Sequence, residues 1–187
     1  MTIRSFIDQL HALFPLTVAQ LMAKYEMSEA DALASLRGSW FLPLRPGTPA
    51  TVLDDPDPSI EQFIEACEFK TSFIVGNVAL FQGLSQVGQG FWAMGHISQE
   101  SLLINQVDKM IYYADYDDVA DENYGNFRPC ARTFGCLLEA LLLYGNFVCG
   151  QYLDAPQEDH LSKEEYIAST LQATGVRTPD NIFAQLY

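Results

Sequence analysis

The sequence predicts an α+β fold, and three observations carry that prediction. Segments 71–82, 90–97 and 109–114 are rich in β-branched and aromatic residues and are separated by polar, glycine-bearing turns, as strands are. Residues 3–37 and 59–70 instead place apolar residues at helical spacing. Residues 131–144, ARTFGCLLEALLLY, are the most hydrophobic helical stretch. Their Phe134, Leu137, Leu138, Leu141 and Leu142 share one face that should pack across the sheet.

A chain of 187 residues is long enough for one sizeable core. Its 24 acidic and 10 basic residues give a formal charge of -14, a field that repels phosphate backbones and favours basic partners. Nucleic acid is therefore not an expected ligand. Arg4 and Asp8 interrupt the first ten residues, so no signal peptide is read there, and the best apolar run, Cys136 to Cys149, carries Glu139 and is too short to span a bilayer. The expectation is a cytoplasmic protein without membrane association. Its four cysteines, Cys67, Cys130, Cys136 and Cys149, are expected as thiols.

In chain order, Ile3, Phe6, Ile7, Leu10 and Leu13 predict a helix over 3–14 ended by Pro15. Thr17 with Gln20 begins a second, and Ser28 with Asp31 a third that Gly38 ends. Residues 1–39 thus form a helical N-terminal segment. Pro43, Pro46, Gly47, Pro49, Pro56 and Pro58 make 40–58 an extended connector, and 59–187 is the α+β core. A capping box, Ser59 with Gln62, opens a helix that ends near Lys70. In the strand at 71–82, Gly76 marks a bulge or bend, while Gly83, Gly88 and Gly90 supply the next turn; 102–107 is a further strand candidate. Beyond the hydrophobic helix lies a second apolar stretch, Phe147 to Leu153. Ser162 and Glu165 then box a terminal helix that stops at Gly175, and residues 181–187 pack back through Ile182, Phe183 and Leu186.

The sharpest motif is TVAQLMAKYEMSEADALASL, which has the look of a helix-turn-helix. A DNA reader needs basic or amide side chains on the first turns of its second helix, and those turns are Ser28, Glu29, Ala30, Asp31 and Ala32. A packed helical pair is the preferred reading, and a transcriptional regulator or adaptor the alternative. The loop 115–125, DYDDVADENYG, suggests calcium by its carboxylates, yet counting from Asp115 puts Val119 at the fifth position and Ala120 where an EF-hand has glycine. No metal is assigned to it. Aromatics among carboxylates suit a basic protein partner instead, because the rings bury area while the charges steer approach. The expected partner-binding residues are Tyr113, Asp115, Tyr116, Asp117, Asp118, Asp121 and Glu122.

His11, His96 and His160 stand in no recognisable catalytic pattern, and GxSxG, HExxH and kinase motifs are absent from the sequence. No catalytic residue and no cofactor are assigned. A thiol enzyme using Cys130 or Cys136 with His96 is the second alternative.

The strands at 71–82 and 90–97, the strand with acidic loop IYYADYDD, and the following ARTFGCLLEALL together resemble the SUKH superfamily over residues 70–145. That group includes cell-wall synthesis regulators, Syd-type proteins and many bacterial toxin-immunity proteins. Ala131, Phe134 and Leu138 stand where its small-x-x-Phe-x-x-x-Leu helix would have them, and Leu42-Pro43 echoes in part its early Leu-Pro signature. The resemblance implies a twisted, largely antiparallel sheet flanked by helices, no catalysis, and a protein partner, of which a toxin is the most concrete case.

Overall fold

A computed structural model describes residues 1–13, 22–23, 25–32, 42–69, 72–152, 161–178 and 181–186. The expected second helix and the body of the third, including Thr17, Leu33, Arg37 and Gly38, lie largely outside the described residues. Within them, Ser28 Oγ accepts the Asp31 N–H at 3.2 Å and heads a helical turn over 29–32.

The chain is α+β. Strands β1 (Ser72–Val75), β2 (Val78–Val87), β3 (Phe91–Ile97), β4 (Glu100–Asn105), β5 (Ile111–Ala114) and β6 (Arg128–Ala131) form one sheet in sequence order, every neighbouring pair antiparallel. Each connection is short except that between β5 and β6. The expected strand over 71–82 is a hairpin: Gly76, at φ +56°, and Asn77 turn the chain so that Val75 faces Val78. Tyr144 fixes that turn, because its hydroxyl accepts the Asn77 N–H at 3.3 Å and its ring leaves 2.7 Å to any Cβ at residue 76. Gly88 and Gly90 do form the β2–β3 turn, whereas Gly83 lies inside β2 at a register shift.

One face of the sheet carries the core. Helix α5 (Phe134–Tyr152) lies against it, burying Phe134, Leu137, Leu138, Leu141 and Leu142. The helix begins three residues later than expected because 128–131 pairs with β5 as an edge strand, so Ala131 belongs to β6. At its other end α5 takes in the stretch at Phe147, which stacks on Tyr166 at 4.6 Å.

Helix α1 (Ile3–Leu13) is built into the same core. Ile3, Phe6, Ile7 and Leu10 are buried, and Phe6 meets Phe63 at 5.9 Å and Phe73 at 6.1 Å, edge to face. The connector contains a short helix, α2 (Ala50–Leu53), which Arg4 ties to α1 through Asp54 at 2.7 Å. Leu44 bridges Cys67, which is extended, so α3 (Ile60–Ala66) stops before Lys70. Its capping box is formed as expected, with the Ser59 N–H donating to Gln62 Oε1 at 2.6 Å.

Helix α6 (Lys163–Thr174) has the second capping box and ends at Gly175, and a 3-10 turn (Ile182–Gln185) packs back. Asn181 joins these pieces. Its buried Nδ2 faces the carbonyls of Cys130 and Val176 and the Thr174 hydroxyl at 3.0–3.2 Å, while its Oδ1 accepts the Phe183 N–H at 3.1 Å. Among the described residues no helix is long and apolar enough to cross a membrane.

Candidate functional site: an acidic strap on the outer face

Residues 115–127 leave β5, cross the sheet face opposite α5 and return to β6. The segment has an apolar underside, in which Val119, Tyr124 and Phe127 cover Phe91, Ala93, Leu103 and Tyr112. Tyr124 stacks on Phe91 at 5.6 Å, and Phe127 meets the same ring edge-on at 5.0 Å. Those aromatic contacts make the segment a strap rather than a free loop.

Polar contacts hold its shape. Its first half is helix α4 (Tyr116–Ala120) and its second a 3-10 turn (Tyr124–Asn126). Asp118 Oδ1 accepts Asn126 Nδ2 at 2.8 Å, closing one half on the other. The Tyr124 hydroxyl donates to Glu122 Oε2 at 2.7 Å and accepts the Gln89 N–H at 3.0 Å, fastening the strap to the β2–β3 turn.

The upper side is acidic. Asp115, Asp117, Asp121 and Glu122 are exposed, and Tyr116 is 73% exposed among them. Asp118 is half-buried and engaged within the strap. Tyr113 is different: alternation along β5 sends Tyr112 to the outer face and Tyr113 into the core, where it is 1% exposed. It presents no ring to a partner. Six of the seven expected residues thus share the strap, and of the tyrosines around it only Tyr116 is exposed.

Two residues at the strap's origin were not anticipated. The Arg128 guanidinium lies 4.9 Å over the Tyr113 ring, with Nη2 3.8 Å from Asp115 Oδ2 and 4.0 Å from Glu100 Oε1. Burial raises the Glu100 carboxyl above the ordinary range, Arg128 opposes that shift, and Asp115 adds to it. A signal existed for Arg128, the one basic residue between Lys109 and Arg132. Glu100 gave none, because only the β3–β4 hairpin brings it there.

Two of the thiols are placed for packing, and the Cys149 side chain lies outside the described residues. Cys67 and Cys130 are buried in the core; burial pushes the Cys67 thiol up to about 12, and burial together with the Glu100 charge pushes Cys130 well above its ordinary value. His96 is exposed on the opposite face of the sheet, against Phe81 at 5.9 Å, so Cys130 and His96 are not brought together. Cys136 is half-buried on α5. Among the described residues no three His, Cys, Asp or Glu side chains are grouped to hold a metal ion. No protein-family model, curated protein or solved structure matches the chain.

Proposed function

We propose that the protein is a non-enzymatic binding protein that takes a basic protein partner on the acidic strap, most concretely an immunity protein that neutralises a toxin by occupying it. The observation that carries this reading is the strap's two-sidedness. Its aromatic underside is spent on the sheet, while Asp115, Tyr116, Asp117, Asp121 and Glu122 face outward on a segment already fixed in shape. A pre-ordered surface loses little conformational entropy on association. Four clustered carboxylates in a chain of charge -14 accelerate encounter with a basic surface, and an exposed tyrosine among them supplies area to bury. The resemblance of 70–145 to a superfamily with many immunity members points the same way. For the regulator alternative, the described turn at 28–32 offers Glu29 and Asp31 to solvent, a poor match to phosphate.

The test is capture of partners from the source lysate on the tagged, full-length chain at low salt, with elution at high salt. One basic polypeptide in stoichiometric amount supports the proposal. Recovery of nucleic acid, or of no specific polypeptide, would sink it.

A further inference from the structure

We propose that Glu100 is a proton-operated latch on the strap: protonated, it leaves Arg128 wholly to Asp115 and tightens the first turn of α4; ionised, it competes for the same guanidinium and loosens that turn. The geometry is a single cation between two carboxylates on different elements. Arg128 on β6 reaches Asp115, where the strap begins, and Glu100, where β4 begins, at 3.8 and 4.0 Å from the same Nη2. Neither contact is short enough to be a hydrogen bond, so the guanidinium is shared rather than committed. The Tyr113 ring centroid lies 4.9 Å from the guanidinium carbon, so the cation sits over the ring between the two acids.

Glu100 is the member placed to titrate. Its side chain is 23% exposed, and its Oε2 is buried without a donor among the described residues. An ionised carboxylate with one oxygen so placed is poorly solvated, and a proton relieves it. The titratable groups facing it are Arg128 and Cys130 on β6, Tyr113 on β5 and Asp115 on the strap. Of these Arg128 alone is a cation, so its balance between the two acids follows the charge on Glu100. Asp115 matters to the strap because it stands at the N-terminus of α4, where its carbonyl accepts the Val119 N–H at 3.1 Å, while its carboxylate makes no capping bond to the helix.

The experiment needs no partner, so its failure would leave the binding reading untouched. Amide hydrogen exchange of Val119 and Asp121 is measured at about pH 5 and about pH 8, each corrected to the intrinsic rate at that pH, in the wild type, Glu100→Gln and Asp115→Asn. The wild type should lose protection roughly two- to fivefold at the higher pH, the range one half-exposed ion pair controls. Glu100→Gln should hold the more protected value at both, and Asp115→Asn the less protected value at both. A wild type whose protection ignores pH, or a Glu100→Gln chain that keeps the pH dependence, overturns the latch.

Discussion

The ring of Tyr124 occupies the space that a side chain at residue 88 would need: a Cβ built on Gly88 would overlap the Tyr124 hydroxyl. This contact joins the strap to the β2–β3 turn. Gly88 also sits at φ +64°, a conformation that disfavours any other residue.

Gly88→Ala should therefore cost more than backbone strain alone, which is about 1–2 kcal/mol for a left-handed non-glycine residue. Gly90→Ala is the matched control, since Gly90 has φ +81° and open space around it. Urea unfolding of both variants separates the terms. Equal losses would mean that Tyr124 gives way freely and does not fasten the strap.

Asn181→Ala should destabilise the fold by roughly 3 kcal/mol, because it strips buried partners from the Cys130 and Val176 carbonyls and from the Phe183 N–H. Chemical denaturation measures it. A loss below about 1 kcal/mol would mean that water replaces the amide, and that Asn181 does not hold the C-terminal turn to β6.

What the sequence made legible was whatever local chemistry decides. The capping boxes at Ser59 and Ser162, the end at Gly175 and the buried stripe of α5 were all written within a few residues. Decisions made by pairing were not. The run at 71–82 reads as one strand until Tyr144, distant in sequence, is seen closing the turn at Gly76; β6 hides before a hydrophobic helix because its pairing with β5 spans the strap. The strap acids were legible as a cluster. The inward turn of Tyr113 and the approach of Glu100 to Arg128 depended on strand register, which composition does not carry.

The strap acids divide into two kinds. Asp118→Ala should expose 115–127 to limited proteolysis, because it releases Asn126. Asp117→Asn and Asp121→Asn, at exposed carboxylates, should leave cleavage rates unchanged. If all three behave alike, Asp118 is no structural member of the strap.

Glu100→Gln should change stability in a pH-dependent way. Burial raises the folded carboxyl above its unfolded value, so the folded state binds the proton more tightly. The wild type then pays no charge penalty below the unfolded carboxyl range and loses stability as pH rises through the raised folded value. Relative to wild type, the variant should gain in denaturant midpoint from acid to neutral pH. A constant difference would show that Glu100 titrates normally.

Cys67 and Cys130 should resist alkylation in the folded protein at mildly alkaline pH and react on unfolding, because burial both hides the sulfurs and disfavours their thiolates. Peptide mapping after maleimide treatment reads each site. Rapid native labelling of Cys130 would revive the thiol-enzyme alternative.

The most direct test of the strap as an interface is the association rate of the captured basic polypeptide with wild-type protein and with a Tyr116→Ala, Asp117→Asn, Asp121→Asn triple variant, across a salt series. The strap account predicts association slowed by about tenfold at low salt, with a flatter salt dependence, while the fold's stability is unchanged. Identical rates and identical salt slopes would contradict it.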